Sequence, residues 1–393
     1  MQQLKTFLFS LLILGSINTY AQQTYSYDAV NIKSYSLYEK GSWKELISYG
    51  NDAIANGQDF TLLRLRIGYA AFMIGNFSEA VKAYEKVLQN DSYNVTAHYY
   101  LWLSRKYLNQ PELADKHLAY LSAESLAKEK QESLAFTGVG FETSFKTTDI
   151  VGRGNTWYNM LHLENRFGWN VHMSQAISYF NQTIQLPTTG LPGNAPLTVI
   201  DQVEYYNKLT FNLSNQWQLK AVYHYTNTPI NNKVYQNHSG LIGIKYSSNY
   251  FDVQADGIFS KMYDSTISQF DFQLGYYPLG NQKLYGISTA IYRNRKTGSG
   301  FNFKQVLGGQ VAKKIWLEGN VTLGSFQDLY ENDALYLYNA VDKNNYKAGV
   351  MSYFTITPKC IFELGYTSEQ RVLYGKTTTF NQNSITGGLK WKF

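Results

Sequence analysis

Three ionisable residues at alternate positions, His162, Glu164 and Arg166, form the pattern in this sequence that could do chemistry. Successive side chains of a β-strand point to opposite faces, so all three would share one face of one strand. Barrel enzymes place catalytic His, Ser and acidic groups on such faces. One hypothesis is therefore a hydrolase or acyltransferase acting on an envelope lipid or glycan. The simpler hypothesis is a polar ladder inside a barrel, because lumen-facing positions are polar by default. We therefore expect a protein without enzymatic activity.

Other reactions have few residues to draw on. The sequence has no Walker-type phosphate loop, no paired-His zinc motif and no nucleophile elbow. Six histidines and one cysteine, Cys360, exclude an internal disulfide framework and argue against a metal centre. Lys and Arg are scattered rather than clustered, which argues against nucleic acid as a partner. We predict no catalytic residue, no metal ligand and no cofactor.

The candidate residues lie on long segments in which apolar and polar residues alternate. About fourteen such segments, each of roughly ten to fourteen residues, run from Phe136 to Phe393 and are separated by turn signals. A membrane-spanning strand needs about 9 to 11 residues, whereas strands of soluble proteins average about 5 to 6. The pattern predicts an antiparallel transmembrane β-barrel of about 14 strands, with about 12 to 16 possible. The ionisable residues expected to line its lumen are His162, Glu164, Arg166, Glu204, Lys208, Lys220, His224, Asp252, Asp256, Asp271, Arg293, Glu318 and Glu363.

Composition also favours a barrel. Aromatic residues make up 16% of the chain and charged residues only 16%, whereas soluble proteins carry about 25% charged residues. The formal net charge is +6, and the basic excess lies in the alternating segment. Because both signs of charge occur at the predicted lumen positions, they could pair and close the lumen, or line an open channel.

The last eight residues read as a strand that ends on an aromatic side chain. Thr386, Gly388, Trp391 and Phe393 stand at the defining positions of a pattern that resembles the C-terminal signal of bacterial outer-membrane barrels. In such a barrel the last strand pairs with the first and leaves no backbone edge. The resemblance implies that the outer-membrane assembly machinery reads this end of the chain.

Two segments precede the predicted barrel. Residues 1–21 read as a cleavable secretory signal, because Lys5 precedes a short apolar core and small residues lead to Ala21. Residues 22–135 have helical spacing, and matching residues recur every 34 positions, as at Gly41 and Gly75. Three units are expected, at 27–60, 61–94 and 95–128.

These units resemble tetratricopeptide repeats, most closely in the middle copy. Small residues are expected to let antiparallel helices approach, and aromatic residues to fill the space between neighbours. The aromatic run Tyr99, Tyr100 and Trp102 is either a carbohydrate-stacking shelf or, as is commoner, repeat core. The residues expected to form the repeat core are Gly68, Gly75, Phe77, Ala80, Tyr84 and Ala114.

Short turns, such as 214–216 and 247–249, are expected on the periplasmic side. Four longer connections are expected outside the cell, at 182–200, 226–235, 295–300 and 328–345. The first is rich in Pro and Gly, so it folds into the mouth of the barrel or forms a mobile surface loop; the second alternative is slightly favoured.

The whole layout resembles the YaiO-like outer-membrane proteins and the repeat-plus-porin exporters of poly-N-acetylglucosamine. This resemblance implies an outer-membrane barrel with helical repeats in the periplasm. It also implies export or passage of a polysaccharide or solute, with the repeats binding the polysaccharide or a periplasmic protein. Alternatives are a scaffold for an envelope complex, a barrel-embedded envelope-modifying enzyme, or a structural or adhesion barrel without a pore.

Overall fold

The computed structural model describes residues 25–185, 197–230, 233–263, 265–296 and 298–393. The predicted secretory signal lies outside the described residues, and so does most of the predicted loop at 182–200. Within the described ranges, a set of helices is followed by a closed antiparallel β-barrel of fourteen strands. The predicted fold class and strand number are therefore confirmed.

The helices are short and follow one another closely in sequence. Asn76 and Asn94 cap two of them, because their side-chain oxygens accept hydrogen bonds from backbone N–H groups three residues later. The helices within the described ranges are α1 (Tyr27–Glu39), α2 (Trp43–Ala55), α3 (Thr61–Met73), α4 (Phe77–Asn90), α5 (Val95–Tyr107), α6 (Pro111–Asp115), a 3₁₀ turn (Lys116–Tyr120) and α7 (Ala123–Lys128).

Small and aromatic residues let these helices pack together. A Cβ atom on Gly68 would lie 2.8 Å from the ring of Tyr84, so only glycine allows this approach. Tyr84, Ala80 and Ala114 are fully buried, and Phe77 packs against the cluster that contains Tyr84 and Ala80.

Gly75 and Trp102 have different roles in the helical segment. Gly75 was expected to permit close packing of helices, but a Cβ atom there would meet nothing within 4 Å. Its φ of 76° shows that it is needed instead for a left-handed turn between α3 and α4. In the aromatic run, Trp102 is only 1% exposed and packs in a core cluster with Ala114. Trp102 is therefore part of the repeat core and not of a carbohydrate-stacking shelf.

The barrel strands contain 12 to 16 residues each, and each pairs with its neighbours in the chain except around one inserted hairpin. Strand β1 also pairs with β16. The strands are β1 (Leu134–Thr148), β2 (Arg153–Phe167), β3 (Val171–Gln185), β4 (Leu197–Asn212), β5 (Trp217–Ile230), β6 (Lys233–Ser247), β7 (Phe251–Met262), β8 (Ser265–Tyr276), β9 (Leu284–Arg295), β10 (Gly298–Ala312), β11 (Ile315–Phe326), the hairpin strands β12 (Leu329–Glu331) and β13 (Tyr336–Tyr338), β14 (Lys343–Thr357), β15 (Cys360–Val372) and β16 (Thr379–Lys392).

Two of the four predicted long connections, 226–235 and 295–300, are wrong, because strand pairing continues into them. Pairing of β5 with β6 continues from Asn227 opposite Gln236 to Ile230 opposite Lys233, so 226–235 is almost entirely strand. Likewise β9 reaches Arg295 and β10 begins at Gly298. The polar composition of these segments suggested loops, but backbone pairing extends the strands beyond their apolar portions.

The barrel has an apolar outside and a polar inside. Large apolar side chains such as Phe141, Ile177 and Ile242 are 50%, 58% and 68% exposed, whereas Ser178 and Gln202, which alternate with apolar residues, are buried. Exposed apolar surface of this extent requires a hydrocarbon solvent. A closed barrel with such an exterior is the architecture of outer-membrane proteins.

Among the helices of the described ranges, none has the length and apolar character to cross a membrane.

Closure of the barrel joins its first and last strands. The Thr386 hydroxyl donates to Ser144 Oγ at 2.9 Å, and the Phe393 backbone N–H donates to the Thr137 carbonyl at 3.1 Å. Gly388 lies in a narrow space where a Cβ atom would be 3.3 Å from a β1 carbonyl. Trp391 is 40% exposed on the outer surface.

The helices pack against the barrel end where β1 begins. Asp115 accepts a hydrogen bond from Arg166 Nη1 at 2.6 Å, and Asn281 Nδ2 donates to the Gly75 carbonyl at 3.0 Å. Trp169, in the turn after β2, packs against the cluster around Trp102. We call this the helix end of the barrel and the opposite end the distal end.

Candidate functional site

A hairpin folds from the distal end into the lumen. Its strands β12 and β13 pair only with each other, with Glu331 opposite Tyr336, and Leu329 and Tyr330 are fully buried. The turn at its tip has three consecutive residues, Asn332 to Ala334, with φ between 53° and 60°. The connection at 328–345 was predicted to lie outside the cell. That prediction is wrong, because the hairpin at 329–338 lies in the barrel interior and β14 begins at Lys343.

An acidic residue at the tip binds two lysines of the barrel wall. Asp333 Oδ1 lies 2.5 Å from Lys220 Nζ, and Asp333 Oδ2 lies 3.1 Å from Lys208 Nζ. Gln254 Nε2 also donates to this carboxylate at 3.0 Å. On the wall, Lys220 forms a second ion pair with Asp256 at 3.0 Å. We call these residues the tip latch.

A second acidic residue of the hairpin is held in the same way. Glu331 Oε2 lies 2.5 Å from Lys347 Nζ and 3.3 Å from Lys304 Nζ. The Thr322 hydroxyl donates to the other carboxylate oxygen at 3.2 Å. Lys347 also donates to the Tyr338 hydroxyl at 2.8 Å. Part of the charge pairing in the lumen therefore takes place through acidic groups that the hairpin supplies.

Tyrosines attach the hairpin to opposite walls. The Tyr330 hydroxyl is 2.5 Å from Ser239 Oγ and 2.9 Å from Ser260 Oγ. The Tyr336 hydroxyl donates to Glu142 of β1 at 2.8 Å. Apolar wall residues of β2 to β8, among them Met160, also pack against the hairpin. The hairpin thus contacts both sides of the lumen and occludes it.

Several predicted lumen residues contact or support this hairpin. Lys208 and Lys220 bind its tip, and both ring nitrogens of His224 face oxygens, those of the Ala334 carbonyl at 2.7 Å and of Glu204 at 3.2 Å. Asp271 accepts a hydrogen bond of 2.9 Å from the Gln269 side-chain amide, and this amide also donates to the Tyr330 backbone carbonyl. Arg293 donates to the Ser325 carbonyl at 3.0 Å, just before the hairpin.

The remaining predicted residues lie elsewhere. Arg166 is at the helix end, bound to Asp115. Glu318 accepts from the Tyr285 hydroxyl at 2.8 Å, and Glu363 pairs with Lys390 at 2.7 Å. Asp252 is buried and lies 3.6 Å from Lys245 Nζ, whereas Asp256 belongs to the tip latch. The principal residues that sequence reasoning missed are Asp333, Glu331, Tyr330, Lys304 and Lys347.

His162 and Glu164 meet a serine, Ser174, on the next strand. His162 Nε2 is 2.8 Å from Ser174 Oγ and 2.7 Å from Glu164 Oε1, while the serine hydroxyl donates to Glu164 at 2.9 Å. A catalytic triad needs serine on one ring nitrogen and the acid on the other. Here one nitrogen faces both groups and the serine proton is directed to the acid, which is the geometry of a polar ladder.

A cavity of about 620 Å³ lies between the hairpin and the distal end. The return strand of the hairpin and residues up to Asp342 form one side of it. Strands β1 to β4 and β15 to β16 form most of the remaining wall. We call it the distal cavity.

Across the parts of the chain that the structure describes, no three His, Cys, Asp or Glu side chains are grouped to hold a metal ion.

The geometry defines a transmembrane β-barrel whose lumen is occluded by its own hairpin. No protein-family model matches the chain, and no curated protein is significantly similar to it.

Three solved structures that are similar to the chain have low sequence identity to it. Omp33 of Acinetobacter baumannii is 10% identical with a TM-score of 0.38, over 67% of this chain and 100% of that chain. The monoaromatic hydrocarbon channel CymD is 7% identical with a TM-score of 0.45, over 71% and 91%. A Pseudomonas aeruginosa FadL homologue is 8% identical with a TM-score of 0.43, over 66% and 90%.

Proposed function

We propose that this protein is an outer-membrane barrel that passes a solute or a polysaccharide, and that passage requires the hairpin to leave the lumen. The observation that carries this proposal is the tip latch, in which Asp333 lies between Lys208 and Lys220. Fourteen strands enclose more space than side chains alone can fill, since about eight strands suffice for a barrel closed by its own side chains. A barrel with a purely structural role would not need this additional width.

The chemistry of the latch supports a movable plug. Burying an ion pair costs desolvation energy, and an apolar replacement is often equally stable or more stable. The hairpin nevertheless presents two acids to four lysines in the interior. When the hairpin withdraws, its charged groups can replace these contacts with contacts to water. A fully apolar plug would instead expose apolar surface to water.

We propose that the helical segment is a periplasmic module of tetratricopeptide type. Helix α3 contacts both α1 and α5 as well as its sequence neighbours, as the first helices of successive repeats do. Short turns of outer-membrane barrels face the periplasm, and the longest connections of this barrel are at the distal end. The module covers the helix end, where it would bind the transported polysaccharide or a periplasmic protein.

A scaffolding role is the second candidate, and one surface feature favours it. Tyr38, Tyr69 and Tyr100, one from each first helix, form a continuous row with ring centroids 5.3 and 5.5 Å apart. All three rings are partly exposed. Crosslinking of the full-length protein in cells, compared with a Tyr69→Ala variant, would identify a partner on this row.

Single-channel recording in planar bilayers tests the passage proposal. The full-length protein should be closed for most of the recording. A variant with 329–338 replaced by a short Gly-Ser linker should conduct steadily, and a control shortened at 374–377 in the β15–β16 connection should behave like the parent. Heat-modifiable gel mobility verifies that each barrel is folded. A folded barrel that lacks the hairpin and still does not conduct would refute the proposal.

A further inference from the structure

The barrel wall surrounds the acidic residue at the hairpin tip with groups that bind a carboxylate. Asp333 receives one lysine on each oxygen, Lys220 at 2.5 Å and Lys208 at 3.1 Å, and the Gln254 amide at 3.0 Å. Lys208, Lys220 and Gln254 belong to the wall strands β4, β5 and β7. Two positive charges and an amide donor form a suitable donor set for a carboxylate. We call these three wall residues the tip cradle.

A second set of wall residues surrounds the other hairpin acid. The Glu331 carboxylate contacts Lys347 Nζ at 2.5 Å, Lys304 Nζ at 3.3 Å and the Thr322 hydroxyl at 3.2 Å. Lys304, Thr322 and Lys347 belong to β10, β11 and β14. We call them the second cradle. Because both cradles belong to the wall, their donors remain in the lumen when the hairpin withdraws.

Withdrawal of the hairpin removes the counter-charges of these lysines. Within the described residues, Lys208, Lys304 and Lys347 form ion pairs only with the hairpin acids. Lys220 differs from them, because it also pairs with Asp256 of the wall at 3.0 Å. A lumen lined by unpaired cations attracts anions. An anion that enters the cradles would restore the charge pairing that the hairpin provides in the closed barrel.

The hairpin acids indicate which anion the cradles fit. Asp333 gives one carboxylate oxygen to each lysine of the tip cradle. Glu331 gives one oxygen to the two lysines of the second cradle and the other to Thr322. Both cradles therefore use both oxygens of a carboxylate. Because only Asn332 separates the two acids in the chain, the cradles suit a molecule with more than one carboxylate.

The tip cradle is the more accessible of the two. The side chains of Asp333 and Lys208 are 22% and 21% exposed, whereas those of Glu331 and Lys347 are 4% and 5% exposed. The tip cradle also lies near the helix end, because β4 ends at Asn212 and β5 begins at Trp217. A solute that enters from the helix end therefore reaches the tip cradle first.

We propose that the solute passed by this barrel carries at least two carboxylates, and that the hairpin acids occupy its binding sites while the barrel is closed. The carboxylates of the solute replace Asp333 in the tip cradle and then Glu331 in the second cradle, which releases the hairpin. This inference rests on the proposed passage function, for which it names the class of solute. Equilibrium binding requires no conductance, so a failure to bind and a failure to conduct are separate results.

Isothermal titration calorimetry in detergent tests the cradles on the linker variant, in which a Gly-Ser linker replaces 329–338. The dicarboxylate probes are digalacturonate, which has a saccharide frame, and glutarate, which has none; maltose and sulfate are the comparison probes. We expect at least one dicarboxylate to bind the linker variant. The parent should bind it at least about tenfold more weakly, because the tethered hairpin acids compete at a high effective concentration.

Substitutions in the linker variant assign the binding to the cradles. Lys208→Gln and Lys347→Gln should each weaken binding about tenfold, as expected for the loss of one charged hydrogen bond. Lys390→Gln is the control and should leave binding unchanged, because Lys390 pairs with Glu363 of the wall. If the linker variant does not fold on heat-modifiable gels, Glu331→Gln combined with Asp333→Asn gives the same comparison with the hairpin present.

Hydrogen exchange of the parent protein measures displacement of the hairpin. The dicarboxylate that binds should accelerate exchange within 329–338, and maltose should not. The proposal is wrong if neither dicarboxylate binds, or if maltose or sulfate binds as tightly. It is also wrong if the cradle substitutions bind as tightly as the Lys390→Gln control, or if exchange within 329–338 does not respond.

Discussion

Lys220 of β5 and Asp256 of β7 form an ion pair of 3.0 Å although a whole strand separates them. The residue between them, Gly243 of β6, is paired in register with both. A Cβ atom on Gly243 would lie 1.8 Å from the Asp256 carboxylate and 3.1 Å from Lys220 Cε. The missing side chain therefore allows Lys220 to reach both Asp256 and the hairpin tip.

Replacement of Gly243 by alanine should disturb the tip latch. The added methyl group would displace Asp256 or Lys220, and such overpacking costs about 1 to 3 kcal/mol. We expect more frequent channel openings in planar bilayers with the barrel still folded on heat-modifiable gels. Gly319→Ala is the matched control, because a Cβ atom there meets nothing within 4 Å. Equal opening frequencies in the two variants would contradict this role of Gly243.

Asp333→Asn should weaken the hold on the hairpin directly. The substitution keeps the size of the side chain but removes the charge that lies between Lys208 and Lys220. Removing one partner of a buried pair costs about 3 kcal/mol, so the open probability should rise at least about tenfold. Asp201→Asn serves as the control, since Asp201 bonds Tyr179 at an exposed position. An unchanged open probability would show that the latch does not hold the plug.

Deletion of the hairpin should also change ion selectivity. Without Asp333 and Glu331, Lys208, Lys304 and Lys347 would lose the acids that they contact in the lumen. A pore lined by unpaired cations attracts anions. Reversal potentials in a salt gradient should show anion preference for the variant that lacks 329–338. Adding Lys304→Gln and Lys347→Gln to that variant should reduce the anion preference. Cation preference in the deletion variant would count against this account of the lumen charges.

Arg166→Ala should loosen the helical segment from the barrel. Arg166 binds Asp115 at 2.6 Å and also lies 4.8 Å from the centre of the Trp169 ring. Its loss leaves a buried carboxylate without its partner, at a cost of about 3 kcal/mol. Limited proteolysis should then cut faster between α7 and β1. Arg64→Ala, which breaks a more exposed pair with Asp59, should not accelerate cleavage.

The helical segment should lose stability in mild acid. His98 Nδ1 and His117 Nδ1 lie 3.0 Å apart, and the other ring nitrogen of His98 contacts the Ser92 carbonyl. Burial lowers the pKa of His98 and holds the pKa of His117 well below its usual range. The unfolded chain takes up protons at a pH of about 6.5 and the folded chain only at lower pH. The stabilisation is therefore complete above about pH 6.5 and falls by up to about 1.4 kcal/mol per site and pH unit below it.

Hydrogen exchange of α5 and the 3₁₀ turn at pH 7.5 and 5.5 measures this loss. His117→Leu should reduce the difference between the two pH values. His238→Leu, at an exposed position beside Tyr223, should retain it. If exchange is equally slow at both pH values in the parent protein, the two imidazoles do not control the stability of this segment.

Local alternation was enough to predict the barrel, because strands such as β4 and β7 bury one face and expose the other over most of their length. The same pattern assigned Lys208 and Lys220 to the lumen. It could not reveal their partner, since Asp333 lies more than a hundred residues away in a segment that has the composition of a surface loop. No short-range sequence pattern indicates that a connection between strands folds into the lumen. The predicted end of β5 near Asn227 was too early, because backbone pairing with β6 continues beyond the last apolar residues of the alternating pattern.

The pairing of β1 with β16 has a consequence for how the protein is made. Val139 lies opposite Trp391, so these two strands come from opposite ends of the barrel sequence. The ring cannot be sealed until β16 has been synthesised, and a product that lacks β16 keeps two unpaired strand edges. Such edges recruit other chains. Loss of β16 should therefore favour aggregation over barrel closure.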